Sequence, residues 1–154
     1  MDLLPTFAAI AGAELPDAEL DGQNATEFLM RKTEQSPRDE YLYYSGCLLT
    51  GVRSGKWKLV LPRKQAPSGL GWWGRMIEAI PETMLFDLDA DPGESKNLAV
   101  KNTDVVASLM DRIEAARAEL GDLNRTGSGA RFFDDGPRKL QSPVKKPRAK
   151  SQSK

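Results

Sequence analysis

Few side chains in this chain are able to do covalent chemistry. Its 154 residues include no histidine and a single cysteine. Without an imidazole there is no His-based acid–base pair, no nucleophilic triad and no His-liganded metal site. Neither GxxxxGKS nor GxGxxG occurs, so no glycine-rich phosphate loop is present. Three clusters remain. Asp87, Asp89, Asp91 and Glu94 could offer oxygens to a hard cation, which needs six or more of them converging on one point. Set around Pro92-Gly93, the same carboxylates suit turn and capping chemistry, and that is their expected role. Arg53, Lys56 and Lys58 come nearest to an anion patch. Strand alternation places Lys56 and Lys58 on one face, expected to be wet. Trp72-Trp73 lies in a Gly-rich stretch and could stack on a sugar or aromatic substrate, or anchor a partner. Loop aromatics more often fold back and cap a sheet, which is the expectation here. Trp72, Trp73, Arg53, Lys56 and Lys58 are thus the candidate substrate or partner contacts. No residue is assigned a catalytic, cofactor-binding or metal-binding role. Cys47 sits in apparent strand sequence and is expected to be a small apolar packing residue.

The elements that would position these groups can be read from periodicity. Thr83–Ala99 organises the chain. Met84, Phe86 and Leu88 alternate with Leu85 and Asp87, as in a strand with one buried face. A tight acidic turn follows, then Asn97-Leu98, a polar anchor and an apolar plug before a helix. That helix is predicted over 102–120. Asn102 is its expected N-cap, Asp104 suits the first-turn dipole and Gly121 is its stop. Val105, Val106, Leu109, Met110, Ile113, Ala116 and Leu120 form one apolar stripe, expected to lie across the sheet. Leu48–Arg53 and Lys56–Leu61 pair as a hairpin around Ser54-Gly55, with Trp57, Leu59 and Leu61 on one face. Arg38–Gly46 supplies a further strand, its tyrosines favouring extended chain. Pro62–Pro81 interrupts the sheet as a long inserted loop. Upstream, Met1–Gly12 reads as a short helix with Asp2 as N-cap and Gly12 as stop. It is apolar on nearly every side and so demands burial. Phe28-Leu29-Met30 marks a single helical turn in a polar connector.

The predicted fold is therefore α+β: a small antiparallel sheet of about four strands with one long C-terminal helix packed across it. It occupies 1–121, with the preceding helix at 2–12 and the loop insertion at 62–81. Residues 122–136 are expected to wrap back irregularly, pinned by Phe132 and Phe133. Residues 137–154 are expected to form a disordered basic tail. That tail holds seven Lys/Arg and no acid, leaving 15 basic against 22 acidic residues in the body. Lys145-Lys146-Pro147-Arg148 could meet an anionic surface, but nothing aromatic is interleaved with it, so nucleic-acid recognition is not expected. A lone cysteine excludes an internal disulfide. Met1–Gly12 has no basic n-region and is too short to span a bilayer, and the compartment is not legible.

Three ordered motifs are more specific than these patterns. Asp2-Leu3-Leu4-Pro5-Thr6, with Ala11-Gly12, Leu15-Pro16 and Asp21-Gly22, resembles the DLxPT helix, AG…LP exit and DG segment of the sulfatases. Val52-Arg53-Ser54-Gly55-Lys56-Trp57-Lys58-Leu59 resembles their VRxGxWKL hairpin. Leu85–Ala99 resembles their hallmark near the C-terminal end: aromatic-Asp-Leu, Asp-Pro-x-Glu, then Asn-Leu. The resemblance runs from about Asp2 to Leu120 and covers only the last part of a sulfatase. It implies the C-terminal subdomain of that fold, which in the intact enzyme packs on the catalytic domain and helps shape the substrate cleft.

For the intact family enzyme, the resemblance also implies a formylglycine nucleophile, made from the Cys or Ser of C/S-x-P-x-R, and a calcium ion. Cys47 lacks that Pro and Arg, and the family's calcium motifs have no match here. The implied function is the C-terminal fragment of an arylsulfatase-like sulfuric ester hydrolase, inactive alone, from a truncated or mis-started reading frame. Its implied partner is the missing catalytic domain, and a sulfate ester is its substrate only in that context. Two alternatives stand beside it: a non-catalytic interaction module using Trp72-Trp73 or the exposed sheet face, and a polyanion binder acting through the tail.

Overall fold

The computed structural model describes residues 1–130, apart from Glu19, Ser68 and Asn124. Four strands follow one another along the chain: β1 (Glu40–Ser45), β2 (Leu48–Ser54), β3 (Trp57–Val60) and β4 (Met84–Asp87). They pair antiparallel in the order β1-β2-β3-β4. Gly55 makes the β2–β3 turn possible, since its φ of +54° is a left-handed conformation that glycine tolerates best. The long helix α3 (Thr103–Glu119) lies across one face of this sheet. Leu49, Val52, Leu59, Leu61 and Leu85 from the sheet and Leu109, Ile113 and Ala116 from α3 form the buried core. The predicted α+β sandwich of four strands and one helix is therefore the fold.

Several details differ from the sequence expectation. Leu49 and Val52 both reach the core although they stand three residues apart. A β-bulge reconciles them. Tyr43 pairs with Gly51 but Tyr44 pairs with Leu49, so Thr50 is an extra residue that shifts the pleat. Its hydroxyl donates to the Tyr43 carbonyl at 2.9 Å. Strand β4 is covered on both faces, with Leu85 under α3 and Phe86 buried on the opposite side. The single buried face expected there is thus two. Leu120 does not continue the α3 stripe, being 44 % exposed beyond the helix end. Asn102 does not cap α3 with its side chain; its amide donates backward to the Leu98 carbonyl at 3.1 Å.

Asn97-Leu98 does act as an anchor along the outer edge of β4. The Asn97 Oδ1 accepts from the N–H of Leu85 at 3.0 Å, and the Leu98 N–H donates to the Leu85 carbonyl at 2.8 Å. After α3 the chain forms a small hairpin that the sequence did not announce, β5 (Gly121–Asp122) and β6 (Arg125–Thr126). It returns Ser128 and Gly129 to the helix end, where their N–H groups donate to the carbonyls of Ala118 and Glu119 at 2.9 and 2.7 Å. Those carbonyls would otherwise lack partners. Asp122 pins the hairpin to the sheet by accepting from the Leu49 N–H at 2.9 Å and from Arg117 Nε at 2.8 Å. The expected Phe132-Phe133 pins and the basic tail 137–154 lie outside the described residues.

Upstream of the sheet stand α1 (Leu3–Ala11) and the single turn α2 (Thr26–Leu29). Gly12 ends α1 in the left-handed region, as expected. Asp2 does not cap it: the carboxylate instead pairs with Arg38 at 2.6 Å and accepts from the Gln23 N–H at 2.8 Å. Thr6 is buried and joins the two helices, accepting from the Ala25 N–H at 3.0 Å. A side chain at Gly22 would meet the Met1 carbonyl oxygen at 2.4 Å, which explains glycine there.

Candidate functional site

The candidate contacts fall on the face of the sheet away from α3 and on the loop after β3. Arg53 and Lys58 are neighbours across β2 and β3, and Phe86 stands next to Lys58 on β4. Lys56 is not part of that row; it lies in the β2–β3 turn. The three cations do not form an open anion patch. Arg53 Nε donates to the Gly55 carbonyl at 2.9 Å. Lys56 Nζ pairs with Asp87 at 2.7 Å and lies 4.8 Å from the Trp57 ring centroid. The hydrogen bond from Lys56 lowers the Asp87 pKa, and the same bond raises that of Lys56. Lys58 Nζ pairs with Glu94 at 2.5 Å and lies 4.9 Å from the Tyr43 ring centroid. Its side chain is mostly covered, so the face expected to be wet is partly closed over.

Trp72 and Trp73 do not cap the sheet. They are 64 % and 55 % exposed and stack on each other, with ring centroids 4.6 Å apart. The reason lies in the loop's own ties. Arg63 and Ile80 exchange backbone hydrogen bonds at 2.8 and 2.9 Å, closing the base of the loop. Ile77, just after the 3₁₀ turn Trp73–Met76, takes the buried position instead. Cys47 is also misjudged by its local sequence. It is exposed in the turn between β1 and β2, and so is not a packing residue.

The acidic turn uses its oxygens internally. Asp87 Oδ1 accepts from the N–H groups of Asp89 and Ala90 at 3.2 and 3.3 Å. Asp91 accepts from the N–H groups of Ser95 and Lys96 at 2.8 and 2.9 Å. Among the described residues no group of three or more His, Cys, Asp or Glu side chains converges as a metal site would require. The donor set therefore does not fit the calcium ion of the resembled family. Cys47, in a turn without a following Pro and Arg, does not fit its formylglycine.

A different surface stands open. On α1 only Pro5 and Thr6 are buried, while Leu3, Leu4, Phe7 and Ile10 are each more than half exposed. Leu29, the last residue of α2, and Met30 just after it are exposed as well. At 9 residues α1 is far too short for a membrane, and no helix among the described residues is long and apolar enough to cross one. The Asp2–Arg38 pair ties this helix to the chain that enters β1. Arg38 donates to Asp2 and to the Asp21 carbonyl, the latter at 2.9 Å. The hydrogen bonds from Arg38 and from the Gln23 N–H hold the Asp2 pKa down at about 2. Sequence periodicity marked α1 as needing cover, but it had no signal for the Arg38 tie, which joins residues 36 positions apart.

Comparison with known proteins fits this geometry. A family model described as the C-terminal region of aryl-sulfatase matches residues 36–135. Arylsulfatase A of Bos taurus is 36 % identical over 125 residues, covering 74 % of this chain and 24 % of the bovine protein. Arylsulfatase A of Homo sapiens is 31 % identical over 141 residues, covering 78 % of this chain and 26 % of the human protein. A structure solved in work on the metabolism of multiple glycosaminoglycans by Bacteroides thetaiotaomicron superposes with a TM-score of 0.56 at 29 % identity. That match covers 75 % of this chain and 24 % of the other. The chain spans about a quarter of the length of the curated relatives it matches. Its motif residues hold the fold together: Asp2 on Arg38, Lys58 on Glu94 and Asn97 on Leu85. By the matched model and by these relatives, the chain belongs to the sulfatase family and corresponds to its C-terminal region.

Proposed function

We propose that this chain is the docking lobe of a sulfuric ester hydrolase and does not turn over sulfate esters unaided. The observation that carries this reading is the open apolar face of α1, with Leu3, Leu4, Phe7 and Ile10 unpacked on a lobe of sulfatase type. Four large apolar side chains on one short helix mark a surface that another body covers. The partner this fits is the catalytic domain of the same enzyme class. That domain would supply the formylglycine nucleophile and the calcium ion that neutralise and attack a sulfate ester. The residues present here fit neither group, so no step of sulfate transfer is assigned to them. In the assembly, the exposed Trp72–Trp73 stack is the candidate contact to substrate or to that domain.

The test pairs two measurements. The purified full chain should leave an aryl sulfate ester intact. Co-expressed with a sulfatase catalytic domain that lacks its own C-terminal region, it should co-purify, and Leu4→Asp with Phe7→Asp should abolish that association. Hydrolysis of the ester by the chain alone, free of contaminating enzyme, refutes the reading.

A further inference from the structure

On the face of the sheet away from α3 there is a cavity of about 260 Å³. Ile80, Met84 and Phe86 contribute its apolar lining, and Lys58, Arg63 and Glu94 its charges. Two of those charges cancel. Lys58 and Glu94 are in contact at 2.5 Å. Glu94 holds that position with φ at +54°, a left-handed backbone that L residues seldom adopt and that tends to persist where a site requires it. Arg63 has no such partner. Its Nη1 makes one long bond to the Leu61 carbonyl at 3.4 Å. Its Nε is buried and has no acceptor. Among the described residues it forms no ion pair. A guanidinium stays charged at any physiological pH and presents its donors in a fixed plane. The base of the side chain is also fixed, because the Arg63 N–H and carbonyl are both bonded to Ile80. The cavity thus carries a net single positive charge beside apolar walls, with one buried donor waiting for an acceptor.

We propose that this cavity binds a ring bearing a monoanionic oxygen group, with Arg63 as its principal donor. The charge count selects the ligand class. A sulfate monoester and a ring carboxylate each carry one negative charge over several oxygens at neutral pH. A phosphate monoester is largely a dianion there, with its second ionisation near pH 6. The ring covers Ile80 and Met84, and the anion takes the orphan Nε–H in a charge-assisted bond. The inference rests on residues of this chain alone and does not require the proposed docking role.

Titration of the full chain by NMR at low salt, with phenyl sulfate, benzoate and phenol in turn, tests this. At least one of the two anions should bind saturably, and the one that does identifies the source of the charge. Phenol should bind at least about tenfold more weakly, as expected for loss of a charge-assisted bond. Arg63→Gln should weaken anion binding by a similar factor while the unfolding midpoint stays near that of the parent. Arg63→Lys, which keeps the charge but not the Nε–H, should weaken it less. Lys64→Gln, a neighbouring exposed cation, should change nothing. Failure of both anions to bind saturably, equal binding of phenol, or full binding by Arg63→Gln overturns the proposal. So does saturable binding of an acidic peptide in place of either small anion, because the site would then be a protein contact.

Discussion

Replacing Ile113 by alanine removes the side chain at the centre of the contact between α3 and the sheet. Ile113 is fully buried, in one cluster with Val52, Leu59 and Leu85, which are also fully buried. A substitution of this kind costs about 2–5 kcal/mol from lost burial plus the cavity left behind. A domain of this size has roughly 5–15 kcal/mol in all, so Ile113→Ala would leave little in reserve. Ile113→Val is the better-behaved probe, at about 0.5–1.5 kcal/mol. With a urea dependence of about 1–3 kcal/mol per molar, its unfolding midpoint should fall by roughly 0.2–1.5 M. Leu120→Ala supplies the contrast. The apolar stripe in the sequence ranks Leu120 with Ile113, but it projects from the helix end into solvent. Its loss should stay within about 0.5 kcal/mol. Urea unfolding followed by far-ultraviolet circular dichroism measures all three. Equal effects at the two positions, or an Ile113→Val midpoint unchanged from the parent, would show that α3 is not seated as described.

The Asp2–Arg38 tie should give a pH-dependent difference. Asp2 has a folded pKa of about 2, below its ordinary 3.8, so its stabilisation is complete above about 3.8 and disappears as pH falls through 2. Asp2→Asn should therefore lose stability at neutral pH, and the gap to the parent should close in acid; the Asp2 side chain is a third open to water, which limits the effect to about 1 kcal/mol. Asn97→Leu should cost about 1–3 kcal/mol, read by thermal or urea unfolding, because the Leu85 N–H is left without its acceptor at 3.0 Å. Cys47, exposed in its turn, should react with a chromogenic disulfide in the native protein as fast as in the unfolded chain; slow labelling would place it inside.

Much of this fold was legible because it is written in local periods. The β2–β3 hairpin shows in the Ser54-Gly55 turn, α3 in its stripe and β4 in its alternation, and all three lie where the patterns place them. The exceptions have a common cause. The bulge at Thr50 is a property of two strands together, and no single-strand pattern encodes it. Phe86 is buried because Tyr43 and the charged residues around Lys58 close over a face that alternation alone would leave wet. Cys47 reads as strand because Leu48 and Leu49 follow it, but a turn needs Gly46 at φ +62° and carries Cys47 outward with it. The candidate cations were legible as residues but not as pairs. Lys56 finds Asp87 and Lys58 finds Glu94 across 31 and 36 residues, distances that only the folded sheet makes short.

The order β1-β2-β3-β4 also bears on how the chain reaches its native state. Each of β2, β3 and β4 pairs with the strand before it, so the sheet grows by successive closures, short for the first two pairs and longer only across the loop between Val60 and Met84. Topologies of this kind fold quickly for their size, because little loop entropy is lost before each new contact forms. The helix follows the four strands in the chain and shields hydrophobic surface already assembled. A nascent polypeptide halted before residue 103 would hold a finished ribbon with one greasy side uncovered, a natural target for chaperones.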